Sequence, residues 1–402
     1  MSTPTAVSRF DLRDLPADYY DDPYPHLRTL RAREPIYRCP DGSWFLTRHA
    51  DLNQVYRQPR LFSSDKQAQF APLFGPSPLY DHHTTSLVFN DPPLHTQVRK
   101  AIGDALSPRT VASLAPALEV LVDELIERIA EQGQCDLMRD FAAPIPIEVI
   151  GNLLAIRRSD RGSLQRWSNA ILGALEFGGD AGVQSSGNRA LVEFVDFLRQ
   201  VLADRRARPG EDIISRLLRH ESDGFRLSEF QILHQCIFLL NAGHETTTNL
   251  IGNGLLALVR HPDQLARLRR EPSLIDSAVE ECLRYEAPVQ LGNRTVAAAT
   301  RLGAIEFAGG EFLTLSIGAA NRDPEVFARP DAFDIARTPN PHLAFGSGIH
   351  TCAGLAVARL EARIAIGRFV TRFSRIELSG PVVRARRARF RAIDALPLSC
   401  RS

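Results

Sequence analysis

Cys352 is the residue of this 402-residue sequence whose type and setting point most directly to chemistry. It follows a turn that contains Gly346 and Gly348, and it opens a run of helix-forming residues. A cysteine at a helix start lies at the positive end of the helix dipole, which favours its thiolate form. Gly354 keeps the backbone free of a side chain where something flat could lie. This setting suits an iron ligand, and thiolate-ligated haem is one known use.

The same segment is open to three other interpretations. Most cysteines outside disulfides are small buried side chains with no ligand. A dinucleotide-binding fingerprint would need a glycine at Thr351 and a strand before the turn. A zinc site would need further cysteine or histidine residues at ligand spacing, and none is near beyond His350.

The segment resembles the haem-binding signature of the cytochrome P450 family. Every signature position is filled, and six residues within ten are specified, namely Phe345, Gly346, Gly348, His350, Cys352 and Gly354. The resemblance implies haem b (iron protoporphyrin IX), with the Cys352 thiolate as axial ligand of the iron. The thiolate would push electron density towards the opposite side of the iron, where oxygen is activated.

A long helix is predicted from Ser228 to Arg260. Ser228 and Gln231 form a capping box, and Pro262 marks the stop. In its middle the sequence AGHETT places a glycine and a run of threonines, which weaken a helix interior. We therefore expect a widened turn there, at a functional site.

The same stretch resembles the oxygen-binding stretch of the family. The resemblance implies that Ala242 and Gly243 lie against the cofactor, that Thr246 holds a proton network, and that Glu245 links that network to solvent as the relay carboxylate. A zinc HExxH motif is excluded, because Thr248 stands where the second histidine belongs.

His95 and Arg99 share one face of a helix expected to start at Asp91, within DPPLHTQVR. Such a pair is most often a solvated polar face. Here the segment resembles the family's propionate-binding segment, and arginine suits that role because its fork pairs with a carboxylate. The resemblance adds Arg294 and His350 to the same propionate site.

Glu281 and Arg284 form a Glu-x-x-Arg pair, which alone is common on solvated helices. Its place ahead of Cys352 resembles the structural Glu/Arg pair of the family. The segment from Asn321 to Arg337 resembles the family's meander, which we expect to brace this pair through buried ionic contacts.

A lipophilic substrate pocket is expected between these motifs, with Asn241 as a polar handle for a carbonyl or hydroxyl group. The resemblance places Leu172, Leu175 and Phe177 near the mobile roof of this pocket. Core packing alone would also explain these apolar residues. The predicted pocket residues are Phe70, Phe74, Leu87, Val88, Leu172, Leu175, Phe238, Asn241, Ala242, Val289, Leu291 and Leu396.

Length and composition agree with this interpretation. The resemblance covers about residues 22–398, so we expect a mainly α (α+β) fold in one cytochrome P450 domain over 1–402, with 1–21 as an N-terminal extension. A net charge of +1 gives no indication of nucleic acid as a partner. The six cysteines show no paired spacing, and neither a signal peptide nor a membrane span is evident, so we expect a soluble cytoplasmic protein.

The expected reaction is insertion of one oxygen atom from O2 into a C–H bond, or epoxidation, of a fatty acid, terpenoid, steroid or polyketide. No flavin, nicotinamide or iron–sulfur motif is present, so a separate ferredoxin or flavodoxin with an NAD(P)H reductase is implied. Arg99, Lys100 and Arg109 are candidate docking charges. Two alternatives stay open, a peroxide-dependent peroxygenase and a non-catalytic haem-binding sensor, although neither would need the relay of Glu245 and Thr246.

Overall fold

The computed structural model describes residues 10–176, 181–222 and 224–401. The helices in these ranges are α1 (Ala17–Asp21), α2 (Tyr24–Arg33), α3 (His49–Arg57), α4 (Gln67–Phe74), α5 (Pro78–Thr85), α6 (Leu94–Ala105), α7 (Pro108–Gln132), α8 (Pro144–Leu153), α9 (Leu164–Gly173), α10 (Ala181–Ala207), α11 (Ile213–Arg219), α12 (Glu229–Arg260), α13 (Pro262–Arg270), α14 (Ile275–Tyr285), α15 (Ile317–Ala320) and α16 (Leu355–Arg372). Phe177 and the glycines that follow it lie outside the described residues. No helix in these ranges combines the length and the apolar composition that a membrane crossing requires.

A smaller β region accompanies the helices. The strands of the described residues are β1 (Ile36–Arg38), β2 (Trp44–Leu46), β3 (Phe62–Ser63), β4 (Gln134–Asp136), β5 (Glu221–Ser222), β6 (Phe225–Arg226), β7 (Leu291–Val296), β8 (Thr300–Leu302), β9 (Ile305–Phe307), β10 (Phe312–Ser316), β11 (Arg375–Leu378), β12 (Val383–Arg384), β13 (Ile393–Ala395) and β14 (Pro397–Arg401). The largest sheet has the order β1-β2-β10-β7-β3, in which only β2 and β10 are parallel. The predicted mainly α architecture with a minor β region is confirmed.

Helix α12 is the central element of the fold. The predicted capping box is present, because Ser228 Oγ accepts from the Gln231 amide at 3.2 Å and Gln231 Oε1 accepts from the Ser228 amide at 2.9 Å. The helix has 32 residues and is therefore about 48 Å long. Helices α8, α9, α10 and α16 pack against it, and most of its residues between Ile232 and Leu258 are buried.

Two local predictions are wrong. The interior of α12 stays α-helical through AGHETT and has no widened turn. Prolines among apolar residues predict an irregular loop over 67–89, but the segment forms α4, α5 and a short 3-10 turn at Leu87–Phe89. Its prolines are compatible with these helices, since Pro78 begins α5 directly after the Ser77 cap.

Glu281 and Arg284 form a fully buried ion pair on α14. Two bonds join them, Arg284 Nε to Glu281 Oε2 at 2.7 Å and Arg284 Nη2 to Glu281 Oε1 at 2.8 Å. Arg337 adds a second guanidinium to Glu281, and the remaining Arg284 hydrogens bind the carbonyl oxygens of Asn321, Pro330 and Ala332. All partners lie in the irregular segment after α15, so this pair fixes that segment to α14.

Glu361 lies between α16 and α12 and is 2% exposed. Burial raises the pKa of its carboxyl to about 8, although a hydrogen bond with Thr247 acts in the opposite direction. The folded protein therefore retains this proton at pH values where the unfolded chain, with a pKa near 4.5, has released it. Stability associated with Glu361 is present below about pH 4.5 and is lost as the pH rises towards 8.

Replacing Glu281 should destabilise the protein strongly. Glu281→Ala leaves Arg284 buried without its carboxylate, which costs about 3–5 kcal/mol in the free energy of unfolding. Urea denaturation of the purified protein measures the change. Asp196→Asn is the matched control, because Asp196 pairs with Arg199 at the same spacing on an exposed surface. Equal effects of the two substitutions would contradict this account.

Glu361→Gln should flatten the pH dependence of stability. The amide resembles the neutral carboxyl but carries no titratable proton, so wild type should lose stability relative to the variant between about pH 5 and about pH 9. Urea midpoints across this range measure the difference. Glu124→Gln, at an exposed position of α7, should follow wild type. Parallel curves for wild type and Glu361→Gln would show that Glu361 is ionised in the folded state.

Candidate functional site

Cys352 lies in a tight turn before α16, three residues ahead of its first residue, rather than inside the helix. The Cys352 amide donates to the Phe345 carbonyl at 2.9 Å, which closes the turn. Gly346 and Gly348 have φ values of 68° and 71°, in the left-handed region that favours glycine. A side chain at Gly348 would also collide with the backbone of Tyr56.

The environment of the Cys352 sulfur combines burial with positive groups. Burial raises the pKa of the thiol, while the Gly354 amide and the guanidinium groups of Arg99 and Arg359 act in the opposite direction. Part of the side chain remains accessible. A metal cation at the sulfur would complete this arrangement, because a coordinating thiol loses its proton.

One face of α12 is open in the middle of an otherwise buried helix. Ala242 is exposed, and Phe238, Gly243 and Thr246 are partly exposed, whereas their neighbours along the helix are buried. Phe238, Ala242 and Thr246 are spaced by four residues and so share one side of the helix. Helix α16, which begins just after the Cys352 turn, packs against α12, the helix that carries this open face.

Positive and imidazole groups gather beside the Cys352 turn. The rings of His95 and His350 are 4.2 Å apart between centroids. Burial, together with the charges of Arg294, His95, Arg99 and Lys66, lowers the pKa of His350 to about 2. Arg294 is buried, with its guanidinium 5.0 Å from the Tyr56 ring centroid.

Among the described residues, no carboxylate forms an ion pair with Arg99, Arg294 or Lys66. The nearby Asp91 is engaged elsewhere, since its oxygens accept from Ser63 Oγ at 2.5 Å and from the Ser64 amide at 3.0 Å. The prediction that Asp91 caps α6 is therefore wrong. Asp91 instead ties β3 to the loop before that helix. The cluster fits a dianionic group such as the two haem propionates.

Lys66 was not predicted. It is 1% exposed, its ammonium lies 3.4 Å from Thr295 Oγ1, and burial lowers its pKa to about 7. The available signal was compositional, because the 48 basic residues include only two lysines, Lys66 and Lys100. Lysine loses its charge on burial more readily than arginine does.

Thr246 and Glu245 are held by different partners. The Thr246 hydroxyl donates to the Ala242 carbonyl at 2.6 Å, so its oxygen remains able to accept a hydrogen bond. Glu245 is buried and forms an ion pair with Arg387, whose Nε also binds Glu176 Oε1 at 3.0 Å. Burial raises the pKa of Glu245, and Arg387 opposes that change.

Arg387 also escaped prediction. It belongs to an arginine-rich run, PVVRARRARFRA, whose basic character was the only available signal. The pairing of Arg387 with Glu245 joins residues 142 positions apart, which no local pattern predicts.

The predicted pocket residues divide into two groups. Phe70 and Phe74 contact each other and His83, next to Leu87 in the main apolar core, while Val88 is half-buried beside it. Leu172 packs with Phe390 and Ala392, and Leu175 and Val289 adjoin that cluster. Five predicted residues lie outside these groups. Phe238 and Ala242 are on the open face of α12, and the other three are Asn241, which is buried on α12, Leu291 and Leu396.

Leu291 and Leu396 do not lie where they were predicted. Leu291 packs with Tyr37 and Phe45 on the side of the largest sheet that faces α2. Leu396 is fully buried in the main core, between β13 and β14. The closing β region contributes Phe390 to the Leu172 cluster instead, through a bridge between Phe390 and Val289.

Two further predictions concern charges and metals. Arg99 points into the cluster beside His350, so of the three candidate docking charges only Lys100 and Arg109 are exposed. In residues 10–176, 181–222 and 224–401, no group of three or more His, Cys, Asp or Glu side chains could hold a metal ion. Any iron at Cys352 would therefore need ligands from a cofactor.

The chain is similar to known proteins over most of its length. The Cytochrome P450 family model matches residues 184–383. Cytochrome P450 107B1 of Saccharopolyspora erythraea is 38% identical over 90% of this chain and 91% of its own length. Vitamin D(3) 25-hydroxylase of Pseudonocardia autotrophica is 36% identical over 91% of this chain and 89% of its own length.

A solved structure shares the complete fold. The crystal structure of P450BioI, in complex with an acyl carrier protein ligated to hexadec-9Z-enoic acid, superposes with a TM-score of 0.91. It is 33% identical to this chain and covers 96% of it and 100% of its own length. Proteins of this type bind haem b through a cysteine thiolate. The chain therefore belongs to the cytochrome P450 family and is a haem-thiolate monooxygenase.

Proposed function

We propose that this chain inserts one oxygen atom of O2 into a C–H bond, or across a double bond, of a lipophilic small molecule, with Cys352 as axial ligand of haem b. The observation that carries the proposal is the closed turn that holds the Cys352 sulfur beside the Gly354 amide. Gly346, Gly348 and Gly354 leave its surroundings free of side chains.

The propionates are proposed to bind the cluster formed by His95, Arg99, Arg294, His350 and Lys66. Arg99 and Arg294 carry positive charge without an ion-pair partner among the described residues. Phe345, Ala242 and Gly243 are proposed to contact the ring. Bound haem supplies the one-electron and dioxygen chemistry that side chains lack.

Thr246 and Glu245 are proposed to manage protons on the open face of α12. The Thr246 hydroxyl is oriented by its bond to the Ala242 carbonyl, so a ligand bound at this face can donate to its oxygen. Glu245 lies one residue away, where its carboxylate, once released from Arg387, can carry protons inward from solvent. The ion pair with Arg387 keeps Glu245 away from this face until the pair opens.

The substrate is proposed to be lipophilic with a polar group. Phe70, Phe74, Leu87, Phe238 and the Leu172 cluster supply apolar surface. Charged and amide side chains stand among them, including Arg387, Glu176 and Asn241. A hydrocarbon without polar groups would leave Asn241 Oδ1 and Arg387 Nη2, which are buried without a hydrogen-bond partner among the described residues, unmatched.

We also propose that electrons come from a separate ferredoxin or flavodoxin with an NAD(P)H reductase, and that the protein acts in the cytoplasm. One domain is proposed for residues 1–402, because the main apolar core draws on residues from Phe70 to Cys400. Lys100 and Arg109 are the exposed basic residues proposed for partner docking.

Cys352→Ser should abolish the spectrum of thiolate-ligated haem. The reduced, carbon monoxide-bound wild type should show a strongly red-shifted Soret band, because the sulfur donates electron density to the iron. Cys282→Ser is the control, since Cys282 is buried on α14 away from the turn. A red-shifted band that persists in Cys352→Ser would rule out this cysteine as the ligand.

Thr246→Ala should divert electrons into hydrogen peroxide. Without its hydroxyl the open face of α12 loses a proton-holding group, so peroxide formed per NAD(P)H consumed should rise severalfold while substrate binding stays near normal. The assay uses a surrogate ferredoxin and reductase with a ligand that shifts the haem spin state. Thr248→Ala removes a similar hydroxyl, bound to the His244 carbonyl, from the other side of the helix and should remain coupled. Unchanged coupling in Thr246→Ala would argue for a peroxygenase or a sensor.

A further inference from the structure

Asn241 is joined to two histidines by a short chain of polar contacts. Its Nδ2 lies 3.5 Å from His82 Nε2, and His82 Nδ1 lies 3.3 Å from His234 Nδ1. All three side chains are buried, with 3%, 2% and 5% exposure respectively. The chain links α5, which carries His82, to α12, which carries the other two residues.

The chain fixes which atoms donate. Burial lowers the pKa of both histidines, that of His234 to about 4, so both rings are neutral near pH 7 and each has a single N–H. The Asn241 amide nitrogen can only donate, so His82 Nε2 accepts from it. The proton of His82 is then on Nδ1, which donates to His234 Nδ1.

The carbonyl oxygen of the Asn241 amide takes no part in this chain of contacts. Asn241 Oδ1 is buried and has no hydrogen-bond partner among the described residues. Asn241 and Ala242 follow Phe238 at i+3 and i+4 on α12, so Asn241 shares a side of the helix with these two residues of the open face. A buried acceptor without a donor is costly, so a ligand that supplies a donor gains affinity there.

We propose that Asn241 Oδ1 accepts a hydrogen bond from the substrate, which therefore carries a hydroxyl or N–H group. The inference rests on the proposed function and deepens it, because it excludes substrates whose polar groups are only carbonyls or ethers at this position. His82 and His234 are positioning residues that hold the amide in the accepting orientation.

Helix α5 is held in place independently of the histidines. Gln235 accepts from the Leu87 amide at 3.2 Å and donates to the Thr85 carbonyl at 2.6 Å. A change at His82 therefore removes the orienting contact while these two bonds still fix the end of α5 on α12.

The test compares the dissociation constants of two pairs of probes for the haem-loaded protein. The first pair are isomers. Dodecyl alcohol and methyl undecyl ether have the same number of atoms, but only the alcohol donates a hydrogen bond. Testosterone and androstenedione form a second pair that differs only by a hydroxyl and a carbonyl. Dissociation constants come from spin-state titration of the Soret band.

Wild type should bind the donor of at least one pair about tenfold more tightly than its partner, the gain expected for one buried hydrogen bond. Asn241→Leu should bring the ratio close to one, and His82→Phe should reduce it by releasing the amide. His244→Leu should keep the wild-type ratio, because His244 is buried on the same helix and does not contact Asn241.

The proposal is overturned if no donor binds more tightly than its partner in wild type, or if Asn241→Leu retains the preference. A preference for the ether or the ketone would mean that the hydrogen bonds run in the opposite direction, and it would equally overturn the assignment. The carbon monoxide spectrum separates the two levels, since a normal red-shifted band with no donor preference removes only this inference.

Discussion

The carboxylates of Glu280, which is half-buried, and Glu281, which is fully buried, are adjacent on α14 and support both flanks of the Cys352 turn. Glu281 binds Arg284, and Arg284 holds the Asn321 carbonyl at 3.0 Å, while the Asn321 side chain accepts from the Leu343 amide at 2.7 Å. Glu280 binds Arg359 on α16 at 2.7 Å and His342 at 3.2 Å. Burial would raise the pKa of Glu280, but these two partners lower it to about 2. Ionic contacts from one helix thus fix the residues before and after the cysteine.

The part of the protein interior near the site differs from an ordinary apolar core. Around the open face of α12 the structure combines apolar rings with buried cations, imidazoles and a carboxylate, and several of these have displaced pKa values. Such displacement is typical of functional sites, because charges are retained there at a cost in stability. The surrounding helices and the Glu281 network stabilise the scaffold that tolerates this cost.

Much of the site could be predicted because its motifs are local. The Cys352 turn, AGHETT and the Glu281 pair each place particular residues at a fixed local spacing, although the backbone of AGHETT stays α-helical without the predicted widened turn. The capping box at Ser228 likewise predicted the start of α12 correctly. Side-chain direction in the strands was harder, since a shift of one residue moves a side chain to the opposite face, as happened with Leu291.

The other missed features depend on distant contacts. Lys66 and Arg387 gain their roles from partners far away in sequence, and no periodicity marks them. The assignment of 67–89 as irregular overweighted its prolines, although Ser77 supplies the cap that allows α5 to begin. Leu396 was placed at the pocket because Ala395-Leu396-Pro397-Leu398 resembles the family's closing β segment, whereas the turn that reaches Leu172 lies around Phe390.

The rarity of lysine has a practical consequence. The sequence contains two lysines among its 48 basic residues, and Lys66 is enclosed by the fold. Reagents that acylate amines therefore find Lys100, exposed on α6, as the accessible lysine of the folded chain. Among the lysine side chains, a fluorophore or cross-linker would therefore attach at one position, on the same helix as His95 and Arg99, without any engineered residue.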